Sequence, residues 1–214
     1  MEFPDPLRQA AVMVPRSAAG EAGTTAADAV DHLDHNEYEI ALDILTELGD
    51  AYAAETSFWN LLADAAAEMN LHRAKAWCRW RAAETVHGII RADLQLLSPA
   101  QPGGRRTAIP GDGILRPLWN IGIVMPEGHP DLRVARIWVE RAPELEPGAH
   151  GPVRLAPLSP EGWRHLRPGD RITMHEQAPP TGTATITQAT FPAERTDGPG
   201  RVQPGSDRLR HPPR

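Results

Sequence analysis

The chain has 214 residues with a formal net charge of −6, and its 22 prolines and 18 glycines require substantial loops. Its single cysteine, Cys78, excludes an internal disulfide framework and a cysteine-based zinc cluster. No apolar run approaches the roughly 18 residues a membrane span needs, and the opening residues lack the charged-then-apolar layout of a secretion signal, so a cytoplasmic protein is expected.

Residues 1–23 are rich in Pro, Ala and Gly without a sustained period and read as a disordered arm. From Thr24 the pattern becomes helical, and an acidic helical domain is expected over 24–97. Tyr38, Ala41, Leu45, Leu48 and Tyr52 recur at spacings of three and four, with Asn36 as the expected N-cap and Gly49-Asp50 as the stop. A second helix opens at Thr56 or Ser57 and aligns Phe58, Leu61, Leu62, Ala65 and Met69. A third follows Asn70-Leu71 and carries Ala74, Trp77, Cys78 and Ala82. Short helices joined by tight turns predict an antiparallel, repeat-like array. Charge singles this half out: residues 1–102 hold 7 basic and 16 acidic side chains, whereas 103–190 hold 10 and 9. Such asymmetry marks units with different partners.

Residues 98–102 read as a linker. Beyond it the period becomes that of strands: 121–124, 134–140, 152–156, 171–175 and 182–187 are short β-type runs separated by turn signals. A small antiparallel barrel over 103–190 is expected, followed by a disordered tail at 191–214. The predicted fold class is therefore α+β, with a helical array followed by a barrel.

The chemical motifs are sparse. His175 and Glu176 are adjacent in a predicted strand, so their side chains point to opposite faces and cannot form a general-base dyad. Asp31-His-Leu-Asp-His-Asn-Glu37 is the densest cluster of metal-ligand types, but its spacing matches no zinc layout and it reads as acidic surface and capping. The only lysine, Lys75, lies in a predicted helix, which removes a phosphate-binding loop of the Gly-Lys-Ser/Thr kind, and no Gly-x-Ser-x-Gly elbow occurs. Cys78, between Trp77 and Trp80 in helical spacing, reads as a buried thiol. Trp119, Trp138 and Trp163 read as barrel core or as packing against the helices. No nucleophile, acid–base pair, metal set, cofactor or nucleotide loop emerges, and a non-enzymatic protein is expected.

Two resemblances add to this reading. Gly103-Gly-Arg-Arg-Thr-Ala108, Leu115-Arg116-Pro117, Pro147-Gly148 ahead of 152–158, and 169–182 occur in the order of motifs in the third, C-terminal β-barrel domain of elongation factor Tu, which 103–187 resembles. The resemblance implies a six-stranded antiparallel barrel and, as its binding function, contact with tRNA; Arg105, Arg106 and Arg116 would then meet phosphates. Gln177, Ala178 and Pro179 replace the family's glycines and arginine in the last turn, which puts that function in doubt, and the barrel's net charge of +1 offers little attraction to phosphate. The stretch HNEYEIALDILTE, 35–47, resembles Maf-type immunity proteins. That resemblance, with the charge asymmetry, implies a protein partner, a basic toxin, met by Glu37, Glu39, Asp43 and Glu47 on an acidic helical face. A translation-associated RNA-binding module is the alternative.

Overall fold

The computed structural model describes residues 5–176 and 178–192, and the expected tail lies outside them from residue 193 on. Five α-helices come first: α1 (Asp5–Met13), α2 (Ala26–Asp34), α3 (Tyr38–Ala51), α4 (Thr56–Glu68) and α5 (His72–His87). Eight strands follow: β1 (Ile89–Leu96), β2 (Ile109–Pro110), β3 (Leu118–Val124), β4 (Pro130–Val139), β5 (Glu144–Leu145), β6 (His150–Pro157), β7 (Arg171–His175) and β8 (Gly182–Thr190). Six of them close an antiparallel barrel in the order β1-β6-β4-β3-β7-β8, while β2 and β5 pair separately.

Two apolar cores result. The helical core collects Leu7, Leu33, Leu42, Leu45, Leu48, Phe58, Trp59, Leu62 and Cys78. Helices α3 and α4 approach closely at Gly49, where an added Cβ would lie 2.6 Å from the Phe58 ring. The barrel core takes alternate residues of each strand, as the period of two demands: Ile90, Ala92, Leu94 and Leu96 from β1, Ala135, Ile137 and Val139 from β4, Ile172 and Met174 from β7. Trp119 and Trp163 fill its interior.

Several expectations are corrected. The arm contains helix α1, whose Leu7 and Ala10 are fully buried in the helical core, so apolar contact rather than sequence period holds it. Asn36 is not an N-cap: its φ of 62° ends α2 in the left-handed region, which asparagine tolerates, and α3 starts after Glu37. The cap chemistry belongs to α2, where the Thr25 N–H donates to Asp28 at 2.7 Å. Gly49-Asp50 lies inside α3, which ends only at Ala51. Most consequentially, 89–96 is a barrel strand rather than the end of the helical unit, so the chain enters the barrel before the expected linker.

Helix α5 is used on two faces. Cys78 and Ala82 enter the helical core, Arg81 lies over Trp59 of α4 and reaches Asp50 of α3, and Trp77, Trp80 and Glu84 turn toward the outside of the barrel. It stops at Gly88, whose φ of 98° excludes side chains and whose N–H donates to the Glu84 carbonyl.

Candidate functional site

Strands β1, β6 and β4 are neighbours, and their register places Arg91, Arg154 and Trp138 in one row across the barrel's outer face. Two arginines directly opposite each other repel. Acids from both sides resolve this. Glu140, just past β4, accepts from Arg91 Nε at 2.8 Å and Nη2 at 2.5 Å. Glu84, from α5, accepts from Arg154 Nη1 at 2.7 Å and from the Trp80 indole at 2.9 Å. Arg154 Nε also lies 3.0 Å from Glu140, at an angle too poor for a hydrogen bond, so that contact is coulombic. Arg81 reaches Asp50 of α3 at 2.6 Å and approaches Glu84 at 3.1 Å. Three guanidiniums and three carboxylates thus form one charge-balanced cluster between the two cores, with Arg81, Glu84, Glu140 and Arg154 buried and Asp50 and Arg91 reaching the surface.

Aromatic rings cover it. Trp77 and Trp138 stand 5.0 Å apart between ring centres, with Trp80 5.7 Å from Trp138. Arg154 and Arg81 lie over Trp77 at 5.0 and 5.6 Å, and Arg136 over Trp80 at 4.9 Å, favourable placements for a cation on an aromatic face. Gly113, at φ 76°, passes so close that a Cβ would lie 2.9 Å from Trp80. Burial pushes the Glu140 carboxyl up, but Arg91 and Arg154 outweigh that and hold it below its usual range. Desolvation dominates at Asp50 and raises it despite Arg81.

Beside this cluster a cleft of about 460 Å³ opens between α3, α5 and the end of β4, lined by Asp43, Arg73, Trp77, Trp138 and Arg141 among others. It adjoins a depression of about 310 Å³ that shares Asp43 and Arg73. That one adjoins a third, of about 350 Å³, which shares Glu39 and is lined by Tyr38, Ile40 and Met69. Together they form a furrow from the start of α3 to the barrel.

The sequence-predicted acids have different fates along it. Glu39 and Asp43, four apart on α3, are exposed, line the furrow and make no ion pair among the described residues. Desolvation, reinforced by Glu39, raises the Asp43 carboxyl above its usual range. Ile40 beside them is 46% exposed. Glu37 is held by His32 Nδ1 at 2.5 Å, and Glu47 accepts from the Glu21 N–H and folds back on the 20–24 loop. Only two of the four acids are therefore uncommitted.

Among the expected phosphate contacts, Arg105 pins its own loop, bonding the Thr107 and Ala108 carbonyls and pairing with Glu176, with its side chain 8% exposed. Arg106 and Arg116 are exposed, on different loops. His175 is hydrogen-bonded to the Thr173 hydroxyl at 2.8 Å, apart from Glu176. Cys78 is fully buried, and burial pushes its thiol up to about 12. No group of three or more His, Cys, Asp or Glu side chains is arranged to hold a metal ion among the described residues, and no helix among them is long and apolar enough to cross a membrane.

The central cluster escaped the sequence reading, although one signal existed. In 136–140 the strand alternation turns Trp138 and Glu140 away from Ile137 and Val139, and a tryptophan on a barrel's outer face marks something docked there. No protein-family model matches the chain, and no curated protein matches its sequence.

Proposed function

We propose that this is a non-enzymatic protein-interaction protein that receives a basic segment of a partner along the furrow. The observation carrying the proposal is the α3 edge, where Glu39 and Asp43 flank the exposed Ile40 and make no ion pair among the described residues, although Arg73 lines the same depression. An apolar anchor ringed by uncommitted acids matches a partner surface that is itself basic, because complementary charge speeds encounter and rejects acidic competitors. The raised Asp43 carboxyl supports the same reading, since a partner's cation would relieve it. The resemblance of 35–47 to Maf-type immunity proteins extends it to neutralisation of a basic toxin, with the elongation-factor-like barrel as the rigid wall against which the helices are set.

The test is affinity purification of the full chain from its own cells, comparing wild type with Glu39→Lys/Asp43→Lys. A basic protein retained by wild type, lost from the variant and released by salt is expected. An identical or empty recovery in both overturns the proposal.

A further inference from the structure

The furrow has a second, opposite end. Where it meets the barrel, Arg81, Arg91 and Arg154 are neutralised by Asp50, Glu84 and Glu140, but Arg73 and Arg141 make no ion pair among the described residues. Arg73 stacks on Trp138 at 5.7 Å and gives a single long hydrogen bond, 3.3 Å, to the Ala142 carbonyl. Arg141 is the second residue past β4, with φ at 61°, a left-handed backbone that is strained for a residue other than glycine. Arg141 lines the same cleft as Arg73, Trp77 and Trp138, and the hydrogen bond from Arg73 to the Ala142 carbonyl brings the two arginines to one side of it. Two guanidiniums without an ion pair beside the half-buried Trp77 suit a carboxylate attached to an apolar group: guanidinium forks match the planar carboxylate and the Trp77 indole takes the carbon skeleton, while Trp138 is buried beneath. Asp43 and Arg73 line the same depression, so the sign of the field reverses within the furrow.

We infer that the partner segment is charge-polarised, with basic residues over Glu39 and Asp43 and a carboxylate, from a chain terminus or an Asp/Glu side chain, held by Arg73 and Arg141 beside Trp77. The inference rests on the proposed function and adds the partner's second charge. A uniformly basic peptide would place a cation beside Arg73 and Arg141 and be repelled there. A uniformly acidic one would fail at Asp43.

The experiment selects peptides on the full chain from a random library displayed with a free C-terminus, then titrates synthetic versions by calorimetry. Selected peptides should carry Lys or Arg in one part and Asp, Glu or their own terminus in the other. Amidating the terminus or changing the acid to its amide should cost about tenfold in affinity on wild type and nothing on Arg141→Gln, whose side chain holds no part of the fold together. The arm that shows the loss identifies the carboxylate's source. Basic peptides weakened by Asp43→Lys but indifferent to losing their carboxylate overturn this inference and leave the proposed function standing. A selection yielding no peptide that Asp43→Lys weakens removes both.

Discussion

Glu84 is the side chain on which the union of helices and barrel most depends. It is 5% exposed and serves Trp80, Arg154 and Arg81 at once. Replacing it with methionine fills a similar volume but leaves three guanidiniums, two of them buried, facing two carboxylates. Arg81 keeps Asp50, whereas Arg154 keeps only the misaligned approach to Glu140, and the Trp80 indole loses its acceptor. Breaking one partner from a buried pair costs about 3–5 kcal/mol, and that is the expected loss for Glu84→Met. Arg154→Met alone reverses the imbalance, leaving two guanidiniums and three carboxylates, and should cost about 3 kcal/mol by the same reasoning.

The double variant is the informative one. Removing both residues leaves Arg81–Asp50 and Arg91–Glu140 as intact pairs and also removes the Arg91–Arg154 repulsion within the strand row. Its cost should shrink to about 2 kcal/mol, chiefly the orphaned Trp80 indole and lost packing. The double-mutant cycle then gives a coupling of roughly 4–6 kcal/mol, far above the ~0.5 kcal/mol within which independent sites add. Urea unfolding followed by tryptophan fluorescence and by far-ultraviolet circular dichroism measures all four corners. An additive double variant would show that Glu84 and Arg154 act separately and would refute the charge-balance argument.

Asp43→Asn should stabilise the protein near neutral pH while weakening the basic partner. A carboxyl whose pKa is raised on folding opposes folding when ionised, so the gain shrinks as pH falls through the folded pKa and is gone below the ordinary value of 3.8; melting temperatures across that range check it. Glu140 behaves oppositely: held below its ordinary 4.5, it contributes stability above that value that is lost as acid titrates its folded-state pKa, so Glu140→Gln should flatten the acid limb of the stability profile. Arg105→Ala should cost about 2 kcal/mol in urea unfolding, because it strips a nearly buried pin from its loop, whereas Arg106→Ala should be neutral. Cys78 should resist a thiol reagent in the native protein and react at the rate of unfolding; fast labelling would contradict its burial.

How much of this was legible in the sequence depends on which force set each element. Helices α3 and α4 and strands β3, β4, β6, β7 and β8 carry the period of the surface they bury, and each overlaps a segment predicted from that period; α5 also overlaps its predicted segment, although it buries Arg81 and Glu84 beside Cys78 and Trp80. Strand β1 carries the same signal, Ile90, Ala92, Leu94 and Leu96 alternating with polar residues, yet it follows a helix with only Gly88 between them. A boundary sought in proline- and glycine-rich text therefore falls one strand too late. Helix α1 lacks a long period because its nine residues make little more than two turns and are held by Leu7 and Ala10. At the site, Glu39 and Asp43 were visible as a charge run, but nothing local distinguishes them from Glu37 and Glu47, whose partners His32 and Glu21 lie across turns and loops. Arg73 and Arg141 were invisible for the same reason: 68 positions separate them, and only the docking of α5 beside β4 brings them to one cleft.

The charge-balanced cluster and the furrow are therefore one device seen from two sides. A furrow with acids on a helix and arginines divided between a helix and a barrel keeps its field only while the two cores hold their relative placement. Apolar packing alone is non-directional and would let α5 slide along the outer face of β4 and β6. Guanidinium–carboxylate bonds with fixed forks are directional, and Glu84 reaching both Trp80 on its own helix and Arg154 on β6 sets the register between them. The same pairing leaves Arg73 and Arg141 without an acid, since every carboxylate in the cluster is already engaged. Neutrality inside the joint thus produces the unneutralised pair at its mouth, and a variant that loosens Glu84 should blur the distinction between polarised and uniformly basic peptides even where some binding survives.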